Sequence, residues 1–132
     1  MHITVRAMEF NDMTSDTLEE DSFIIRERVI KARAIQADRY KGKSGIYTNA
    51  QMTTQQLRKY CKIEHTKSVE LEDTMKKNHL SARAYDRILK VSRTIADLAG
   101  SEQISFDHFA EAVRYRCLDK EGWGEKKILN KD

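Results

Sequence analysis

Apolar residues recur at helical spacing through residues 80–100, and both ends of this segment carry signals for helix termini. The apolar side chains return every three or four residues and form one stripe: Ala84, Ile88, Val91, Ile95 and Leu98. Ser81 suits the N-cap position, and Gly100 suits the left-handed residue just past a helix end. The pattern predicts a helix over residues 81–99. Its opposite face carries polar side chains: Arg83, Arg87, Lys90 and Thr94.

A second strong helical pattern covers residues 23–41. Ser22 is the predicted N-cap, and Gly42 is predicted to end the helix after a basic last turn. The residues expected to face inward follow helical spacing: Ile24, Ile25, Val29, Ala32, Ile35 and Gln36.

Two shorter helices are predicted in the middle of the chain. Thr53 and Gln56 form a capping-box signature that opens a short helix through Cys61, with Leu57 and Cys61 on its apolar side. A further helix is predicted over residues 69–77, with three inward residues: Val69, Leu71 and Met75. After it, Asn78 and His79 can both adopt the left-handed backbone that the next turn requires.

The last predicted helix covers residues 105–117. Ser105 is its N-cap, and Ile104 and Phe109 have the spacing of a hydrophobic staple. Its apolar face comprises Phe106, Phe109, Ala110, Val113 and Cys117. At the other end of the chain, weak alternation over residues 2–8 predicts a short strand.

These elements predict an all-α bundle of four or five helices with a short extended segment at the N-terminus. The chain contains no proline, and 34% of its residues are charged, which favours a helical domain. Residues 1–21 are expected to form the strand and an acidic linker left from the boundary of a preceding domain. Residues 22–118 form the helical domain, with 81–99 as its most buried helix, and residues 119–132 form a polar tail.

Charge is distributed unevenly along the chain. Residues 9–21 contain six acids and no base, whereas residues 31–67 contain nine bases and two acids. The formal net charge of +3 is too small to imply nucleic-acid binding by itself. The basic stretch is either a solvated face or a surface that faces phosphates, and the charge pattern leaves both open.

Other features limit the classes of protein to consider. No apolar run approaches a membrane span, and no secretory signal is present, so a cytoplasmic protein with reduced thiols is expected. Cys61 and Cys117 are each predicted to be small buried hydrophobes. The four histidines share no metal-ligand spacing, and no metal site is predicted.

Residues 42–44 read Gly-Lys-Ser, which matches the end of a phosphate-binding loop. That loop requires a glycine five residues before Gly42, where this chain has Ala37. The segment also follows a predicted helix, whereas a phosphate-binding loop follows a strand. We therefore interpret it as an ordinary helix end.

Arg83 conflicts with its local environment. It lies in the first turn of its helix, where the helix dipole disfavours a cation by roughly 0.3–1 kcal/mol. Such conflicts are found at functional sites, and an arginine at a helix N-terminus is suited to binding phosphate. The pattern alone is also compatible with a simple surface arginine.

Residues 81–105, SARAYDRILKVSRTIADLAGSEQIS, resemble the C-terminal region of Mg-chelatase-related, ComM-like AAA+ ATPases. The resemblance implies the small helical lid that follows the ATPase core, with Arg83 as the sensor-2 residue that reaches nucleotide phosphates in cis or in trans. Arg87 and Lys90 are further candidate basic contacts, and Arg87, Lys90 and Arg93 are expected to be solvated or to face a neighbouring subunit.

The resemblance also implies partners and cofactors. The longer protein would bind ATP and Mg²⁺ and work as a homo-hexamer, with DNA as the expected substrate and no membrane involved. This segment alone shows no catalytic residues, binds no cofactor and is not expected to be an enzyme. The alternative is a free-standing basic helical module that binds nucleic acid or a protein. An upstream GxxxxGK[ST] motif in the same reading frame would favour the lid.

Overall fold

The computed structural model describes Met1, Ile3, residues 20–63 and residues 68–115, and these ranges contain five α-helices. They are α1 (Ser22–Arg39), α2 (Thr54–Tyr60), α3 (Ser68–Lys77), α4 (Ala82–Leu98) and α5 (Phe106–Arg114), with a 3₁₀ turn at Asn49–Gln51. The described ranges contain no strand, and one isolated parallel bridge joins Ile63 to Ile104. The predicted all-α class is therefore confirmed. The strand expected near residues 2–8, Cys117 and the polar tail lie outside the described residues.

Side-chain caps begin three helices where the sequence predicted them. Ser81 Oγ accepts a hydrogen bond from the Ala84 N–H at 3.2 Å. Thr53 and Gln56 form the predicted capping box at the start of α2. Ser105 caps α5, and the His108 side chain returns a hydrogen bond to the Ser105 backbone. These local bonds satisfy N–H groups that have no partner within a helix.

α1 begins differently from the prediction. The N-cap is Asp21, whose carboxylate accepts from the Phe23 N–H at 3.0 Å, and Ser22 is the first helical residue. The predicted Ser22 cap is therefore wrong. A carboxylate at this position satisfies an amide and also interacts favourably with the positive end of the helix dipole.

Left-handed residues end α3 and α4. His79 has a φ of 43°, and the following Leu80 N–H bonds back to the Met75 carbonyl at 3.0 Å. Gly100 has a φ of 66°, and the Ser101 N–H bonds back to the Ala96 carbonyl at 2.8 Å. Both ends therefore close their last helical turn in the way the sequence predicted.

α4 is the central helix of the described structure. It packs against α1, α2, α5 and the 3₁₀ turn, and it contributes more buried residues than any other described helix. The main core cluster comprises Tyr40, Met52, Leu57, Cys61, Ile88, Leu89, Ala96, Ile104, Phe109, Ala112 and Val113. The predicted central position of this helix is confirmed, as is the burial of both staple residues.

The buried face of α4 is rotated from the predicted apolar stripe. Val91 and Ile95 are only half-buried, and Leu98 is exposed. The most enclosed positions also include polar residues, in the set Ala84, Ile88, Leu89, Ser92, Arg93, Ala96 and Asp97. Because α4 has neighbours on several sides, buried polar side chains on its inner face can form hydrogen bonds with one another and with these neighbours.

α1 buries less apolar surface than predicted. Of the six residues expected to face inward, only Ala32 and Gln36 are buried. Val29 opens onto a groove of about 560 Å³ between α1 and α4. The exposed large apolar residues of α1, called here the α1 apolar row, are Phe23, Ile24, Ile25, Val29, Ile30 and Ile35. The prediction for the other four inward residues is wrong, because the described core covers only the side of the second half of the helix that carries Ala32 and Gln36.

The inward face of α3 is also smaller than predicted. Leu71 and Met75 are partly buried against the core, as expected. Val69 is 72% exposed, so its predicted inward position is wrong. It lies in the first turn of α3, beyond the part of the helix that packs on the core.

A buried ionic network joins α1, the 3₁₀ turn and α4. The fully buried Asp97 carboxylate accepts hydrogen bonds from Arg39 at 2.5 and 2.8 Å and from Arg93 Nε at 3.0 Å. Asn49 Nδ2 donates to the same carboxylate at 2.8 Å. The hydrogen bond with Asp97 raises the pKa of Arg39 above its usual value.

Arg93 donates to two backbone carbonyls as well as to Asp97. These are the carbonyls of Ser101 at 2.5 Å and Glu102 at 2.8 Å. Arg93 is therefore tied both to Asp97 on its own helix and to the segment between α4 and α5.

No helix in the described ranges is long and apolar enough to cross a membrane.

We expect Asp97→Ala to destabilise the protein by about 3–5 kcal/mol, because it leaves the buried Arg93 without its carboxylate. Urea denaturation followed by circular dichroism measures the free energy of unfolding. Asp38→Ala is the matched control: Asp38 is an exposed carboxylate on α1, and its loss should change stability by no more than about 0.5 kcal/mol. Equal effects of the two changes would contradict the role assigned to the network.

His79→Gly should raise the free energy of unfolding by up to about 1 kcal/mol, because glycine adopts positive φ without the clash of a β-carbon. Gly100→Ala should have the opposite sign, since it adds a β-carbon at a φ of 66°. Thermal and urea denaturation of the two variants side by side provide the measurement. Destabilisation by His79→Gly would show that the histidine side chain stabilises the turn by itself.

Candidate functional site

Arg83 lies at the exposed N-terminal end of α4. It is the second residue of the helix after the Ser81 cap, and its neighbour Ala84 is buried. Arg83 forms no salt bridge with another described residue. The position is thus held firmly by the buried side of α4, while the guanidinium points away from the described core and is available to an anion.

The two further candidate contacts have different environments. Arg87 is exposed one turn after Arg83. Lys90 is half-buried, and its ammonium donates to the Ala50 carbonyl at 2.9 Å. The structure therefore brings Arg83 and Arg87 together on one exposed side of α4, whereas Lys90 links α4 to the 3₁₀ turn.

The expectation that Arg93 is solvated or faces a subunit is wrong. Arg93 is only 2% exposed and donates to Asp97 and to two backbone carbonyls. It lies on the same helix as Arg83, but its guanidinium faces the core. An arginine on the inner face of an amphipathic helix is a signal for a buried acidic partner, and here that partner is four residues later in the chain.

Cations from two separate parts of the basic stretch meet around Tyr60. The rings of Tyr40 and Tyr60 pack edge-to-face with centroids 6.0 Å apart, which joins the ends of α1 and α2. Lys43 Nζ lies 4.3 Å from the centroid of the Tyr60 ring and donates to the Tyr60 hydroxyl. Lys59 Nζ lies 5.4 Å from the same centroid. Sequence reasoning did not identify this cluster, although the bases flanking Tyr60 were a local signal.

The described residues do not form a complete nucleotide or metal site. They contain no group of three or more histidine, cysteine, aspartate or glutamate residues that could hold a metal ion. Gly42 lies in a turn after α1, and its φ of 76° suits a helix end. Arg83 is nevertheless an exposed cation of the described structure that could contact a nucleotide phosphate.

Cys61 is a structural residue. It is buried beside Met52, with the two sulfur atoms 4.0 Å apart. Burial raises the pKa of its thiol to about 11, so the thiolate required of a nucleophile is scarce near neutral pH. The predicted role of Cys61 as a small buried hydrophobe is confirmed.

Comparison with known proteins places the chain in a family. Residues 19–116 match the family described as "Magnesium chelatase, subunit ChlI C-terminal". The chain is 46% identical to competence protein ComM of Haemophilus influenzae over 99 residues, which are 75% of this chain and 18% of that protein. It is 42% identical to the uncharacterized protein YifB of Salmonella typhimurium over 101 residues, which are 76% of this chain and 19% of that protein.

The matches cover most of this chain but only a small part of each relative. The aligned regions span less than a fifth of the length of these two relatives, and the family match over residues 19–116 includes all five described helices. On the extent of this match, the chain belongs to the magnesium chelatase, subunit ChlI C-terminal family, and is similar to the corresponding part of ComM-like and YifB-like proteins.

Proposed function

We propose that this chain is the helical lid of a Mg-chelatase-related AAA+ ATPase and that Arg83 is its sensor-2 contact to nucleotide phosphate. The observation that carries the proposal is the exposed Arg83 in the first turn of the central helix. Family membership supports the lid assignment, because ComM-like relatives are several times longer than the matched region. The ATPase would lie in the rest of the protein.

The geometry around Arg83 suits a phosphate. Its guanidinium can donate two hydrogen bonds to phosphate oxygens at once, and the amides at the helix end add positive potential. The cation is unfavourable to the isolated helix, so binding an anion would relieve a local repulsion. Arg87, one turn later, is the next candidate contact, and Lys90 would have to release Ala50 before it could contribute.

α4 suits the coupling of nucleotide state to lid movement. Arg83 is at one end of the helix, and the Asp97 network anchors the other end to α1 and to the segment before α5. A pull on Arg83 by phosphate would therefore move the helices as one body. In the hexamer that we propose, this movement would couple ATP binding and hydrolysis to work on DNA in the cytoplasm.

The α1 apolar row is the proposed contact of the lid with the rest of its own protein. Six large apolar side chains on one helix remain exposed in the described structure. Four exposed bases, Arg26, Arg28, Lys31 and Arg33, lie on the same helix. These apolar and basic side chains are interspersed around the helix, so the covering surface should present both apolar and acidic side chains, and the additional length of the relatives provides room for it.

The second candidate function is a free-standing basic module that binds nucleic acid. The observation that favours it is the cluster of cations around Tyr60, which is remote in sequence from Arg83. An open reading frame that lacks an upstream phosphate-binding loop would support this candidate. A frame that contains GxxxxGK[ST] upstream would support the lid.

Arg83→Ala in the full-length ATPase should lower ATP turnover by about 10²-fold or more, because a charge-assisted contact to phosphate is lost. In the chain described here, the same change should leave the free energy of unfolding unchanged or slightly higher. Steady-state phosphate release and urea denaturation measure the two effects.

Arg87→Ala is the matched control for this experiment, since it removes the same charge from the same exposed side of α4. It should lower turnover less than Arg83→Ala does. The sensor assignment is wrong if Arg83→Ala unfolds this domain while the intact ATPase keeps its turnover. A larger loss from Arg87→Ala would assign the phosphate contact to Arg87.

The chain by itself should neither hydrolyse ATP nor bind it with micromolar affinity, because one or two phosphate donors do not form a cradle. Isothermal titration calorimetry with ATP and Mg²⁺ measures the affinity. Ala37→Gly restores the spacing of a phosphate-binding loop before Gly42 and should leave the titration unchanged. Micromolar binding by the unmodified chain would contradict the lid reading.

A further inference from the structure

We propose that Lys43, Lys59, Tyr60 and Lys62 form a surface that binds the sugar-phosphate backbone of a nucleic-acid strand. We call this surface the Tyr60 cluster. This inference rests on the proposed function, in which the ATPase works on DNA. It adds the surface through which this domain would contact that DNA. It does not depend on the role of Arg83.

The first support is a charge imbalance that the fold leaves unneutralised. Residues 39–63 contain six bases and no acid. Elsewhere, Arg28 pairs with Glu20, Lys76 pairs with Glu72, and the buried arginines share Asp97. By contrast, none of the three cations of the Tyr60 cluster forms a salt bridge with a described carboxylate. Within the described residues, Glu102 is a carboxylate near this surface, at the cavity beside Lys59 and Lys62.

The second support is the direction of the hydrogen bond between Lys43 and Tyr60. A lysine ammonium has donors and no acceptor, so Lys43 must donate and the Tyr60 oxygen must accept. The phenolic proton is therefore left to donate elsewhere. The same bond from Lys43 lowers the pKa of Tyr60, which makes its hydroxyl a stronger donor. A phosphate oxygen is a suitable acceptor for that proton.

The third support is the space beside the ring. Lys59, Tyr60 and Lys62 line a surface cavity of about 410 Å³ together with Gln103, the edge of Arg93 and Glu102. Glu102 is an exposed carboxylate at this cavity. The cavity can take a nucleotide unit, with the phosphate toward the lysines and the base against the exposed part of the Tyr60 ring.

Helix electrostatics account for only part of the cluster. Lys59 lies in the last turn of α2, where the dipole favours cations. Lys62 lies after the end of α2, and Lys43 lies after the end of α1. The dipole of α2 therefore accounts for Lys59, whereas Lys43 is held at Tyr60 by its hydrogen bond and ring contact.

The composition of the cluster favours nucleic acid over other anions. Its three cations are lysines, which act as point charges and track a backbone of repeated phosphates. A site for one phosphorylated side chain would use paired arginines with bidentate geometry. An anionic membrane also attracts lysines, but the only aliphatic residue at the cavity, Ile63, is half-buried, so the cluster has little apolar surface to insert between lipids.

The test is fluorescence anisotropy of labelled oligothymidylate with the full chain at low salt, comparing two charge-matched double variants. Lys59→Glu with Lys62→Glu reverses two charges in the cluster. Lys31→Glu with Arg33→Glu reverses two charges on α1, in the same basic stretch. We expect the cluster variant to weaken binding by at least about tenfold. The slope of log affinity against log salt concentration should also become less steep by about 0.7 per lost phosphate contact. The α1 variant should weaken binding less than about threefold.

Tyr60→Phe separates the hydroxyl from the ring. It should weaken binding by a few-fold while circular dichroism shows an unchanged fold, because the ring remains in place. A matching duplex and vesicles containing phosphatidylserine serve as the other ligands. Binding of either DNA form supports the proposal, and their ratio tells whether single strands or duplexes are preferred.

Three results would overturn the proposal: no binding of either DNA at low salt, equal losses from the two double variants, or tighter binding to the vesicles than to DNA. The outcome is separable from that of the proposed function. In the full-length ATPase, the cluster variant should keep its ATP turnover without DNA. Arg83→Ala, in contrast, should lose turnover while this chain keeps its affinity for oligothymidylate.

Discussion

The fold depends on one buried carboxylate. Asp97 is enclosed by α1, α4 and the 3₁₀ turn, and it accepts four hydrogen bonds from Arg39, Arg93 and Asn49. Burying a charge is costly unless it is fully paired, and removing one partner leaves the others unsatisfied. The surrounding elements are therefore held in one relative arrangement, because any shift between them would break several charged hydrogen bonds together.

The same network explains how the cations of this chain divide into two groups. Arg39 and Arg93 are used within the fold, and Asn49 Oδ1 accepts hydrogen bonds from both Arg39 and the Tyr40 hydroxyl. Arg83, Arg87 and the Tyr60 cluster remain at the surface without a described acidic partner. A rigid interior combined with unneutralised surface cations is suited to a domain that holds phosphates on the outside and moves as a unit.

The two proposed phosphate contacts have different physical bases. Arg83 would act through one guanidinium at a helix end, so its contribution depends on precise placement relative to a single nucleotide. The Tyr60 cluster would act through several mobile lysines, so its affinity depends on salt and tolerates small displacements. One site is therefore suited to sensing a nucleotide state, and the other to holding a strand while that state changes.

Local sequence determined several of the helix ends and indicated the family of the chain. The Ser81, Thr53 and Ser105 caps, the left-handed turn at residues 78–79 and Gly100 each depend on bonds within a few residues, so local spacing was sufficient to predict them. The continuous pattern of residues 81–105 was likewise sufficient to indicate the family that the comparison established.

Only the tertiary structure decided which faces are buried and which charges are paired. Helical periodicity sets the spacing of a stripe, but the neighbouring helices decide its rotation, and here they bury Ser92, Arg93 and Asp97 in place of Leu98. Arg39 meets Asp97 across 58 positions of sequence, and Lys43 meets Tyr60 across 17. Such long-range pairs form because packing brings distant segments together, and no local pattern encodes that contact.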